Sequence, residues 1–112
     1  MVKTVGIYKD IKDPDAFEKY YIQNVMPRLL QHPGVIRMRI TSLRNAVNPQ
    51  QEDFEGIQLI IETYYQSHEV LEELMNSPEG EEIIRLITNN PNGKLGSFFG
   101  KEKIFSLPKK FD

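Results

Sequence analysis

The chain contains no cysteine, so it has no disulfide, thiolate nucleophile or thiolate metal ligand. Only two histidines occur, His32 and His68, and they lack the i, i+4 pairing of a helix metal site, so no metal is expected. Neither sign of charge dominates. The 14 basic and 16 acidic residues leave a formal net charge of -2, which excludes a large basic surface seeking phosphate, and nucleic acid is not an expected partner. No apolar run approaches the ~20 residues that span a bilayer, so no membrane partner is expected. The opening MVKTVGIY is not an apolar signal segment, and a cytoplasmic location is the expectation. Gly-x-Ser-x-Gly, Walker and dinucleotide fingerprints are missing, as are internal repeats and low-complexity tracts.

What is present reads as one domain over residues 1–112, large enough to bury roughly two-thirds of its unfolded surface. Val2 to Lys9 is short and rich in β-branched and aromatic residues and is expected to be a strand. Asp13 then reads as an N-cap, with Pro14 at the first helical position and Asp15 favoured by the dipole. His32-Pro33-Gly34 ends that helix, with Gly34 accommodating a turn. In VIRMRITSL, Ile36, Met38 and Ile40 alternate with Arg37 and Arg39, which predicts a second strand.

After the polar connection RNAVNPQQEDFEG, IQLIIETYY predicts a third strand. Ile57, Leu59 and Ile61 share one face, and Gln58, Ile60, Glu62 and Tyr64 share the other. A two-piece helical region follows, capped at Ser67 and again at Ser77-Pro78, with apolar stripes at Val70, Leu71 and Leu74 and at Ile83, Ile84 and Ile87. KLGSFFGKEKIFS is expected to form the last strand, with Gly96 and Gly100 at a bend or close backbone approach.

The order β-α-β-β-α-β points to an α+β, ferredoxin-like sandwich with both helical regions on one face of an antiparallel sheet. On the other face Ile60, Tyr64 and one of Phe98 and Phe99 are left uncovered, which predicts a homodimer joined through that open face. An RNA-recognition domain has the same order, but EGIQLIIETYY begins with Glu55 and presents mostly aliphatic residues, which disfavours it.

The segments DPDAFEKYYIQNVMP and HPGV, then SPEGEEI, then FFGKEKIF resemble the EthD family of dimeric α/β-barrel proteins, named for a gene cluster linked to ethyl tert-butyl ether degradation. The resemblance spans about the whole chain. It implies the dimeric α/β-barrel fold and a superfamily of cofactor-independent monooxygenases, isomerases, haem-dependent peroxidases and proteins without assigned activity. Fold transfers better than chemistry across such a set. The family's helix motif commonly reads His-x-Pro, whereas this chain has Val25, Met26 and Pro27. Val25 can neither carry a proton nor bind a metal, and His32 is not an equivalent placement. No cofactor is therefore expected, with haem the alternative that the superfamily suggests.

Pro27 inside the helix withholds a hydrogen bond and crowds the carbonyl of Gln23, at a cost on the order of 3 kcal/mol in a regular helix. The kink either shapes packing or frees carbonyls beside Tyr20 and Asn24 for a ligand. Phe17, Tyr21, Val25 and Leu29 recur at i, i+4 and form the core stripe, while Tyr20 and Asn24 form a second such pair beside it. Tyr20 and Asn24 are the candidate catalytic residues, hydrogen-bonding a carbonyl or phenol oxygen at a cavity mouth. Tyr21, Val25, Pro27, Tyr64 and Arg39 are the candidate ligand-binding residues. Arg37 and Arg39 serve either as cross-strand partners of Gln58 and Glu62 or as a clamp for a carboxylate.

Three functions stay open. One is a small oxidoreductase or isomerase-like enzyme acting on an apolar or aromatic compound in a degradative or biosynthetic pathway. The second is a non-catalytic binding or carrier protein, such as one accessory to an oxygenase, and the missing helix histidine shifts weight toward it. In the third, dimerisation is the main use of the exposed sheet.

Overall fold

A computed structural model of the chain describes residues 2–44, 54–88 and 93–108. The expected order is observed. Strand β1 is Val2–Lys9, followed by α1 at Pro14–Tyr20, a π-helical turn at Tyr21–Val25 and α2 at Met26–Leu30. Strands β2 (Val35–Ser42) and β3 (Ile57–Tyr65) come next, then α3 (His68–Met75), α4 (Pro78–Thr88) and β4 (Lys94–Lys101). All pairings are antiparallel and the sheet order is β2-β3-β1-β4, the ferredoxin-like arrangement with the first and third strands central. Most of the connection between β2 and β3 lies outside the described residues. Among the described residues, no helix is long and apolar enough to cross a membrane.

The helix caps are local and follow the sequence. Asp13 accepts a hydrogen bond from the Ala16 amide, Ser67 from the Val70 amide and Ser77 from the Gly80 amide. Pro27 is accommodated by something the sequence does not announce. The helix widens just before it, and the Met26 amide reaches back five residues to the Tyr21 carbonyl. Such a wide turn lets the chain absorb a residue that lacks an amide proton. Tyr21, Val25 and Leu29 still point into the core, as their spacing predicts.

The core lies between the helices and one face of the sheet. Tyr8, Leu59, Ile61 and Tyr65 from the strands meet Phe17, Tyr21, Val25, Leu29, Leu71, Leu74 and Ile83 from the helical layer. Each fully buried side chain of this size contributes about 1.5–3 kcal/mol. Gly34 lies in the turn that the sequence predicts and also serves this packing: a Cβ there would stand 2.0 Å from Val70 Cγ1. Gly80 is tighter still, since a Cβ would fall 1.8 Å from the Leu74 carbonyl oxygen, which is backbone and cannot rotate away.

Several expectations are corrected. In β2 a bulge between Val35 and Arg37 skips Ile36, so Val35 is buried and Ile36 is 45% exposed. The same slip sets Arg37 opposite Tyr64, not Gln58, while Arg39 does stand opposite Glu62. Gln58 instead forms two hydrogen bonds with the backbone of Ile11. Strand β4 stops at Lys101, because Lys101 already pairs with Val2 at the start of described β1. Gly96 and Gly100 lie within the strand opposite Ile7 and Lys3, with no backbone pressed against either.

Candidate functional site

Between the sheet and the helical layer lies a cavity of about 180 Å³. Its floor is Thr4 of β1, Thr63 and Tyr65 of β3, and Ser97 of β4. Thr4 stands opposite both Thr63 and Phe99, so the register itself gathers these residues from three strands. The roof is Tyr21 from the π-helical turn, Leu29 from α2, and Leu74, Gly80, Ile83 and Ile87 from α3, its C-terminal side and α4. A smaller space of about 80 Å³ adjoins it, sharing Thr4, Tyr21, Thr63, Ile87 and Ser97 and adding Tyr8 and Gly6. The rim carries Met75, Ile84, Phe98 and Phe99, each at least 39% exposed.

The lining is apolar apart from hydroxyl groups, and no charged side chain borders either space. Tyr65 is hydrogen-bonded to the Thr4 and Thr63 hydroxyls. Burial raises its pKa above the usual tyrosine value, and those two hydrogen bonds offset only part of the rise. Tyr21 is raised further, by burial first and then by the neighbouring Tyr8 and Tyr65. Both phenols are therefore neutral at physiological pH and serve as hydrogen-bonding groups, not bases. An anion placed here would be buried without a counter-charge, so the cavity suits a neutral molecule carrying one or two oxygens.

The candidate residues named from sequence are distributed as follows. Tyr21 lines the cavity. Tyr20 lies one position round the helix, half-buried, and its hydroxyl donates to the Leu86 carbonyl of α4 at 2.8 Å. Asn24 is exposed and its side-chain amide donates to the Tyr20 carbonyl at 3.0 Å, so neither residue is at the cavity mouth. Val25 is fully buried in the core and Pro27 is exposed on α2; neither borders the cavity. Thr4, Thr63 and Tyr65 escape sequence reasoning because nothing local links them. Their only signal is that two threonines fall on the core-facing positions of strands that must pair.

Tyr64 and Arg39 occupy the opposite face of the sheet. Tyr64 was expected to lie uncovered there, yet it is fully buried. The Arg37 and Arg39 guanidinium carbons sit 4.6 and 5.6 Å from its ring centroid and Lys3 Nζ sits 5.4 Å away, all within cation–π range. Its hydroxyl donates to Glu102 Oε1 at 3.0 Å, and Lys3 bridges to Glu62 at 2.5 Å and to Glu102 at 3.6 Å. Burial alone would raise the Glu102 pKa, but the Tyr64 hydrogen bond and the charges of Lys3, Arg39 and Arg37 outweigh it, and the net shift is downward. Next to this cluster Val5, Ile7, Ile60 and Phe98 share the same face by register.

An ethyl tert-butyl ether degradation (EthD) family protein from Bacillus halodurans superposes with a TM-score of 0.75 at 27% identity, over 92% of this chain and 99% of that one. The chain is similar to that EthD family protein in fold and over nearly its whole length. A protein of Arabidopsis thaliana superposes at 0.70 with 20% identity, over 96% of this chain and 100% of that one. SnoaB, a cofactor-independent oxygenase from Streptomyces nogalater, gives 0.63 at 15% identity, covering 96% and 97% of the two chains. The last two show the shared fold alone. No family model and no curated protein matches the sequence. Val25, where the sequence resemblance leads one to expect a histidine, is fully buried and offers only packing.

Proposed function

We propose that this chain, folded as one domain over residues 1–112, binds and orients a small, uncharged, apolar or aromatic compound bearing an oxygen. The cavity between helices and sheet holds it, and Tyr21 and Tyr65 hydrogen-bond the oxygen. The observation that supports this reading is an apolar cavity whose polar groups are all neutral hydroxyls. The EthD likeness supports an oxidoreductase, or a protein accessory to one, in a degradative or biosynthetic pathway. Orientation and hydrogen bonding to the substrate oxygen are the protein's contribution, and the reading invokes no cofactor. A haem would need an axial ligand, and the lining offers no histidine and only Tyr21 and Tyr65, whose burial disfavours the phenolate that would ligate iron. Titration calorimetry with 1-naphthol tests the reading. The wild-type protein is expected to bind with one site per chain, and Ile87→Phe, which fills the space, is expected to weaken binding at least about tenfold. No heat with wild type would refute the proposal.

A second reading, a non-catalytic carrier, is favoured by Val25 at the position of the family's histidine. In both readings the protein is a homodimer through the open sheet face, over whose apolar stripe Val5, Ile7, Ile60 and Phe98 the described residues place no helix. Sedimentation velocity at micromolar concentration is expected to give a dimer, and Phe98→Glu a monomer.

A further inference from the structure

Thr4, Gly6 and Tyr8 alternate onto the core face of β1, opposite Thr63, Ile61 and Leu59 of β3. Thr4 belongs to the hydroxyl-lined floor of the main cavity. Gly6 presents no side chain in a strand with neighbours on both sides, where glycine weakens the sheet and marks a place that another group approaches closely. The adjoining space of about 80 Å³ lies there. A Cβ at position 6 would stand 3.0 Å from Tyr8 Cε1 and 3.4 Å from the Tyr8 hydroxyl oxygen, and both residues line that space. The Tyr8 ring is thus folded back along its own strand, with its hydroxyl toward the Thr4 end.

Tyr8 is only 2% exposed, yet among the described residues its hydroxyl has no hydrogen-bond partner. The ring itself is held, packing on Phe17 at a centroid distance of 5.0 Å. Burial raises the pKa with no hydrogen bond to offset the rise, so Tyr8 is a neutral phenol that both donates and accepts. Tyr65, by contrast, spends its hydroxyl on Thr4 and Thr63. A buried hydroxyl without a partner destabilises the fold, and a phenylalanine would pack in the same place without that cost. Tyr21 lines both spaces and neighbours both Tyr8 and Tyr65, so one side chain links them.

We propose that Tyr8 is a specificity-determining residue of this site: its hydroxyl binds a second oxygen of the ligand, a hydroxyl or a carbonyl, in the lobe that Gly6 keeps open. The ligand class narrows to an uncharged, apolar compound with oxygens at two separate positions of its body. Tyr21 and Tyr65 hold one oxygen and Tyr8 holds the other. This inference rests on the ligand-binding reading above and adds to it the group that selects among ligands small enough to enter.

Titration calorimetry on the full chain tests it by comparing 1-naphthol with 1,5-naphthalenediol, whose two hydroxyls are equivalent by symmetry, so that either one fits either place. Wild type is expected to bind the diol about tenfold more tightly, the worth of one good hydrogen bond. In Tyr8→Phe the two affinities are expected to converge, with that for 1-naphthol unchanged, and the urea midpoint is expected to stand no lower than in wild type. Gly6→Ala, whose methyl presses on the Tyr8 ring, is expected to lose the same preference. A diol no tighter than 1-naphthol in wild type, a preference that survives Tyr8→Phe, or a lower urea midpoint for that variant overturns the role of Tyr8 and leaves the cavity reading standing. If neither compound binds wild type, both are overturned.

Discussion

Tyr64 and Tyr65 are consecutive, identical in chemistry and buried to nearly the same degree, yet the strand's alternation sends them into opposite environments. Tyr65 enters an uncharged layer where two threonines hydrogen-bond its hydroxyl. Tyr64 enters a cage of three cations and two carboxylates, with its hydroxyl on Glu102. One face of the sheet has been kept free of charge beside a cavity, whereas the other concentrates charge around a filled site. Burial of a tyrosine is thus not itself a sign of function; what distinguishes the two is whether empty space remains beside the hydroxyl.

The contrast can be broken most forcefully at Tyr64. Its ring is fully buried and does not border the cavity, so Tyr64→Ala is expected to cost about 3–5 kcal/mol in urea unfolding while leaving 1-naphthol affinity of the folded fraction unchanged. Tyr65→Phe sharpens the difference from the other side. It is expected to change stability by about 1 kcal/mol and to weaken 1-naphthol binding roughly tenfold, read by calorimetry. A stability loss with intact binding would mean that Tyr65 is a core residue only.

The smallest effect concerns Glu102. Its folded-state pKa lies below the ordinary value of 4.5, so its stabilisation is present above that value and is lost as pH falls through the folded pKa. Glu102→Gln is expected to be less stable than wild type at pH 7, with the difference vanishing near pH 2. A difference that persists in acid would locate the effect in packing and not in charge.

The fold was legible wherever the signals are local. The bounds of β1, the N-caps Asp13, Ser67 and Ser77, and the stripe Phe17-Tyr21-Val25-Leu29 all follow from residues within a few positions of one another. The site was legible only at Tyr21. Thr4, Thr63 and Tyr65 come together through strand register. The cage over Tyr64 was hidden for a similar reason. It needs the bulge at Ile36 to set Arg37 opposite the ring, and a bulge leaves no trace in an alternating pattern until its partner strand is known.

The π-helical turn at Tyr21–Val25 has a consequence for how this segment tolerates insertions and deletions. A turn that spans five residues where an ordinary one spans four carries one residue in excess. Deleting one residue there would restore a regular helix with everything from Met26 onward in its present phase, whereas forcing all the present residues into a regular helix would rotate that part by roughly 100° about the axis. Leu29 would then swing out of the core. The surplus residue therefore acts as a phase setting: it lets one continuous rod present Phe17 before Pro27, and Leu29 after it, to the same sheet.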